Sequence, residues 1–201
     1  MPEFERYAVY YAPPKGSALA RFGAAWLGWD IDTGAAVDRL EVPGLPVPLP
    51  DLTARARRYG FHGTLKPPFF LSEGTSADAL ATALSQYCRS AAPVAAPPLR
   101  LRQMGHFFAL VPDGASEGLV GLAAWLVEAL DAYRAPPRDE EVARRRSAGL
   151  SARQDANLVR WGYPYVMDEF RFHLTLTDGV PIESAPAIEA ALLPLVTPLT
   201  L

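Results

Sequence analysis

The sequence predicts an α+β fold, and three observations carry that reading. Short β-rich runs and helical runs follow one another without the strict alternation of a parallel α/β protein. Twenty prolines cut the 201-residue chain into short elements. One phrase occurs twice: Phe61-His62-Gly63-Thr64-Leu65 returns 111 positions later as Phe172-His173-Leu174-Thr175-Leu176, as expected of equivalent strands in two related halves.

Arg6 to Ala12 is rich in Tyr and Val and stops at Pro13-Pro14, which predicts a strand. Ser17 is placed to cap a helix running to about Trp29. Asp32-Thr33-Gly34 reads as a turn, and Pro43 to Pro50 as a proline-punctuated loop. A short helix is expected over Asp51–Arg58, then a strand from Tyr59 to Lys66 that ends at Pro67-Pro68. Ser76 caps a helix to about Arg89. Leu99–Met104 and His106–Val111 form a hairpin about Gly105. Leu119–Tyr133 is amphipathic, with Leu122, Leu126 and Leu130 on one face.

After Ala135-Pro136-Pro137, a charged helix is expected over Arg138–Gly149 and another over Ser151–Trp161. The second phrase lies in a strand from about Phe170 to Leu176. Pro181–Leu193 is helical, and Val196–Leu201 forms a last edge strand. The whole reads as one domain, 1–201, of two related lobes, with a helical insertion at about 138–160.

Half of the residues are hydrophobic, enough to bury a sizeable core at this length. A formal charge of −3 and a pI near 5.6 argue against a protein that coats nucleic acid. The single cysteine, Cys88, excludes an intrachain disulfide, fits a reducing cytoplasm, and reads as a buried helix residue. The N-terminal residues lack the layout of a signal peptide, and no apolar run reaches membrane-spanning length.

Two of the three histidines sit inside the repeated phrase. Side chains alternate along a strand, so His62, Thr64 and Lys66 share one face, and His173, Thr175 and Thr177 share another. Phe61 and Leu65, like Phe172, Leu174 and Leu176, can anchor the opposite faces on a core. The polar sets then face water or a ligand, because burying them unpaired is costly. Strands lying side by side would floor a groove with two imidazoles and two hydroxyls. Imidazole has an unperturbed pKa of about 6.5, so acid and base forms are both available near neutrality. Each proton transfer typically contributes roughly 10²–10⁴-fold. Thr64 and Thr175 can donate to phosphate oxygens, and Lys66 can add positive charge.

These motifs resemble those of the two-histidine (2H) phosphoesterase superfamily, whose hallmark is a pair of His-x-Thr/Ser-hydrophobic motifs. His62-Gly63-Thr64-Leu65 and His173-Leu174-Thr175-Leu176 match it. Arg6–Pro13, Tyr59–Phe69 and Trp161–Val166 are similar to the bacterial branch associated with phosphonate-utilisation gene clusters. The resemblance implies a bilobal, pseudo-symmetric fold with largely antiparallel sheets lining a central groove and helices outside. It implies a phosphoric diester hydrolase, metal-independent and without cofactor, that opens a cyclic phosphodiester such as a small cyclic ribose phosphate or a 2′,3′-cyclic nucleotide. His62 and His173 would be catalytic, and Thr64, Thr175 and Lys66 phosphate-binding. The gap between the motifs is wide for such an enzyme, so the 138–160 helices are the expected insertion.

The alternative is a non-catalytic module that binds a nucleotide or RNA end in the same groove. The implied partner is a small phosphorylated substrate, with RNA ends second and no membrane; the oligomeric state stays open. His106 has no threonine partner and reads as a hairpin residue. Arg144-Arg145-Arg146 reads as a solvated helix face paired with Asp139, Glu140 and Glu141. Arg55, Arg57 and Arg58 lead into the first motif. Trp161, Tyr163 and Tyr165 are core residues or stacking platforms for a base.

Overall fold

The computed structural model describes residues 6–199. In chain order the elements are β1 (Tyr7–Tyr11), α1 (Ala18–Leu27), β2 (Trp29–Asp30), β3 (Ala35–Ala36), α2 (Leu49–Leu52), β4 (Gly63–Phe69), α3 (Ala77–Ser90), β5 (Leu99–Met104), β6 (Phe107–Pro112), α4 (Glu117–Ala129), α5 (Asp139–Arg146), α6 (Ala152–Trp161), β7 (Leu174–Thr175) and α7 (Ala185–Val196). Single 3₁₀ turns occupy Ala56–Arg58, Asp131–Tyr133, Met167–Glu169 and Thr197–Leu199. The protein is thus a mixed α+β chain with small antiparallel sheets, as its sequence predicts.

The chain divides into two compact units built from interleaved segments. The first takes the chain up to Tyr10, Thr64–Ala96 and Ser116–Arg171. It holds the β1–β4 pair and helices α3 to α6. Ser76 caps α3 by accepting from the Ala79 amide at 3.1 Å. Leu119, Ala123, Leu126 and Leu130 form the buried face of α4 and its end, while Leu122 is only half-buried. A capping box opens α6: Ser151 Oγ accepts from the Gln154 amide, and Gln154 Oε1 accepts from the Ser151 amide. Arg145 pairs with Glu141 as expected, whereas Arg146 pairs with Asp155 of α6 and not within its own helix.

The second unit comprises Tyr11–Gly63, Pro97–Ala115 and the chain from Phe172. Ser17 Oγ accepts from the Ala20 amide and starts α1, which ends at Gly28 in the left-handed conformation. β5 and β6 pair antiparallel in full register from Leu99↔Pro112 to Met104↔Phe107, and β7 joins the other edge of β6 through Ala109↔Thr175 and Leu110↔Leu174. Phe108, Leu110, Leu174, Leu176, Ile188 and Leu192 are fully buried.

Several expectations are corrected. β4 runs through Pro67-Pro68 instead of stopping there; it belongs to a two-stranded sheet, and an edge strand tolerates a missing amide donor. The second motif strand shrinks to Leu174–Thr175, the two residues that pair with Leu110 and Ala109 of β6. Among the described residues β4 pairs with β1, and β7 with β6. The Asp32-Thr33-Gly34 turn closes a small hairpin, β2–β3, that composition did not signal. The expected Asp51–Arg58 helix is split into α2 and a 3₁₀ turn, and α2 begins inside the proline loop at Leu49. Cys88 is exposed on α3, not buried. The last edge strand is absent over Val196–Leu199, which is helical, and its final two residues lie outside the described part.

Candidate functional site

Both histidines belong to the second unit, and each sits one residue before a strand, His62 before β4 and His173 before β7. The burial pattern from Phe61 to Phe69 repeats position for position from Phe172 to Val180. Each phrase has a buried aromatic, a half-buried histidine, a buried third residue, a half-buried threonine and a buried leucine. The alternation expected of a strand therefore holds through Thr64 and Thr175. It fails at the next polar position in both copies, where Lys66 and Thr177 are 2% and 1% exposed.

Local packing fixes the first histidine. The Phe61 ring lies against α1, where a Cβ on residue 23 would come within 2.1 Å of it, so Gly23 admits the ring. Phe22 meets the same ring edge-on at 6.3 Å between centroids. Gly60 has φ +72°, and a Cβ there would overlap the Ile31 side chain at 1.8 Å. This backbone aims the Gly60 carbonyl at His62 Nδ1, 2.9 Å away. A carbonyl only accepts, so Nδ1 carries the proton and Nε2 is the basic nitrogen of the neutral ring.

The second phrase is held by backbone bonds. The Leu176 and Thr177 amides donate to the Phe108 carbonyl, and Thr177 Oγ1 accepts from the Phe108 amide at 2.9 Å. Trp26 Nε1 donates to the Leu176 carbonyl at 2.6 Å from the centre of the core. The Asp178 carboxylate accepts from the Arg55 and Ala56 amides at 2.6 and 2.9 Å, while the Asp178 amide donates to the Leu52 carbonyl. The residues that follow the second motif are thus stapled to the turn that precedes the first. The Phe172 ring and Leu174 lie over Gly63. His173 packs beside Phe107, with ring centroids 5.8 Å apart.

The two imidazoles interact electrostatically. Burial pushes the His62 pKa below the usual imidazole value, the Gly60 hydrogen bond opposes that, and the positive charge of His173 depresses it further. The unit therefore brings together His62, His173 and the half-buried Thr175. Thr64 and Lys66 belong to the first unit. There, Lys66 is buried; its ammonium donates to the Val127 carbonyl at 2.9 Å and lies 5.1 Å from the Phe69 ring centre. Burial lowers its pKa to about 8, against the opposing charge of Asp131. His106 occupies the exposed β5–β6 turn.

Gly60, Asp178 and Trp26 were not singled out by the sequence as parts of this arrangement. Gly60 alone carried a local signal, a glycine directly before the motif. The contacts of Trp26 and Asp178 span 150 and 123 residues and have no local signature.

Fold and site define a mixed α+β protein whose second unit presents two coupled histidines. The chain belongs to the DUF1045 family, described as a protein of unknown function, which it matches over residues 64–201. It is similar to a protein of Janthinobacterium sp. (strain Marseille) named ribose 1,5-bisphosphate phosphokinase PhnN, with 42% identity over 91% of this chain and 41% of that protein. It is also similar to a protein of the same name from Laribacter hongkongensis (strain HLHK9), with 40% identity over 92% of this chain and 44% of that protein. The chain spans less than half the length of these curated relatives. No solved structure matches it. The relatives' names correct one expectation: a phosphokinase is a transferase, and the class of phosphoric diester hydrolase is not supported. Among the described residues no helix is long and apolar enough to cross a membrane.

Proposed function

We propose that the second unit performs acid–base chemistry at the phosphorus of a small phosphorylated ribose, with a cyclic phosphodiester as the group attacked. The observation that carries this reading is the coupled pair of imidazoles, one oriented through Nδ1 by a backbone carbonyl. His62 is the base. Its lowered pKa keeps it neutral near pH 7, and Nε2 is the nitrogen able to take a proton. A hydroxyl nucleophile gives its proton to Nε2 as its oxygen bonds to phosphorus. The ring P–O bond breaks, and His173, protonated, supplies a proton to the departing oxygen. Thr175, half-buried one turn of the alternation beyond His173, donates to a non-bridging oxygen.

The relatives' name supports a ribose phosphate as the substrate class. The phosphokinase activity itself is not proposed for this chain, whose sequence has no G-x-x-x-x-G-K-[ST] loop to hold a nucleotide's phosphates. A role in phosphonate metabolism follows from the resemblance of the motif segments.

The test is phosphorus NMR of the purified protein with ribose 1,2-cyclic phosphate and 2′,3′-cyclic nucleotides, with and without an alcohol acceptor. Conversion that disappears in both His62→Asn and His173→Asn is the expected result. Saturable binding without conversion would favour the binding-module reading instead.

A further inference from the structure

The first unit carries an open cleft of its own, whose walls include Lys66, Phe70, Arg134, Glu141, Trp161 and Tyr163. All of these residues lie in the first unit.

The charges around the cleft do not cancel. Arg134 is committed: Nε pairs with Asp131 at 2.7 Å, and its other nitrogens donate to the Ala135 and Arg160 carbonyls. Glu141 is matched by Arg145 at 2.9 Å. Arg138 covers the Phe70 ring at 4.4 Å, and Arg145 covers Tyr163 at the same distance with its buried Nε–H left without a partner. Lys66 and Arg138 both lack a carboxylate in contact among the described residues, but Arg138 is exposed and Lys66 is buried. It is 2% exposed, and one carbonyl and one aromatic face are its partners among the described residues. An ammonium has three donors, so two are unspent. Burying a cation on a neutral acceptor is costly unless an anion completes the site.

We propose that this cleft is a binding site for a small phosphate monoester, with the phosphate on Lys66 and an attached ring or apolar group against Trp161 and Tyr163. The aromatic walls supply a flat surface, and the cation at the base supplies the charge that the phosphate answers. Burial lowers the pKa of Lys66 despite the opposing charge of Asp131, and a bound phosphate would raise it. The inference does not depend on the histidines, so its failure would leave the reading of the second unit intact.

The probes are inorganic phosphate and phenyl phosphate, titrated by calorimetry into the wild-type chain and three variants. Lys66→Met is expected to weaken both probes by about 10-fold or more, since a charge-assisted bond is lost. Trp161→Leu is expected to weaken phenyl phosphate by about 3–10-fold while sparing inorganic phosphate. His106→Asn, on the exposed β5–β6 turn, is expected to bind both probes as the wild type does. Direct observation of the Lys66 Nζ signal in the wild-type protein adds a readout that needs no variant: it should shift as either probe saturates. Unchanged affinity in Lys66→Met, an unmoved Lys66 signal at saturation, or no saturable binding in the millimolar range would each overturn the proposal.

Discussion

The ring of Phe172 occupies the space that a side chain on residue 63 would need: a Cβ there would lie 2.7 Å from the ring, with Leu174 at 3.3 Å. The two copies of the phrase differ at this position, Gly63 against Leu174. The difference has a packing cause, because the second copy lays its aromatic over the first. Gly63→Leu would make the copies identical in sequence and incompatible in space. The expected outcome is a loss of about 1–3 kcal/mol in urea unfolding, with the coupling between His62 and His173 disturbed. A variant as stable as the wild type would show that Phe172 can move aside.

His62 offers a test by NMR titration. Its folded pKa lies below the usual imidazole value, so its charged form is disfavoured by folding. The unfolded chain then binds more protons between the two values. The stability contributed by neutral His62 is present above about pH 6.5, the unfolded value. It is lost as pH falls from there through the folded pKa. His173→Asn removes a positive neighbour and should move the His62 titration upward. An unchanged midpoint would mean that the rings do not sense each other.

Asp178 is the residue to remove in order to loosen the site without touching a histidine. Asp178→Ala leaves the Arg55 and Ala56 amides without their acceptor, and should cost about 1–3 kcal/mol. It should also lower any turnover that depends on His62, since the turn before the first motif loses its tie. Turnover at the wild-type rate with reduced stability would confine Asp178 to a structural role.

Gly60→Ala should be more damaging than an ordinary surface change. Residue 60 needs φ +72°, and a methyl group there meets Ile31. A loss of about 1–3 kcal/mol is expected from strain at such a position. The His62 Nδ1 proton should exchange faster in the same variant, because its acceptor carbonyl turns away. Retention of both properties would mean that the loop accommodates a Cβ.

The sequence made the helices legible where caps announce them. Ser17, Ser76 and Ser151 each start the expected helix, and the Gly105 turn sets the β5–β6 hairpin. The phrase repeat and its alternation also showed in the sequence, since the burial of Phe61–Leu65 and Phe172–Leu176 alternates as the strand reading expects, even where the backbone is not in a strand. Lys66 and Thr177 departed from it because tertiary partners, the Val127 carbonyl and the Phe108 amide, reward their burial. Strand ends were unreadable for the same reason. Pro67-Pro68 stops a central strand but not an edge strand, and sequence does not say which one it is. The scaffold of Trp26 and Asp178 acts across distances that no local pattern encodes.

The most direct test of the acid–base assignment uses a cyclic phosphodiester whose departing oxygen is replaced by sulfur. A thiolate leaves without a proton, so the acid becomes dispensable while the base does not. The account predicts that this substrate restores turnover in His173→Asn by about 10²-fold or more relative to its oxygen counterpart, and restores nothing in His62→Asn. Equal losses in both variants with both substrates, or rescue of His62→Asn alone, would contradict it.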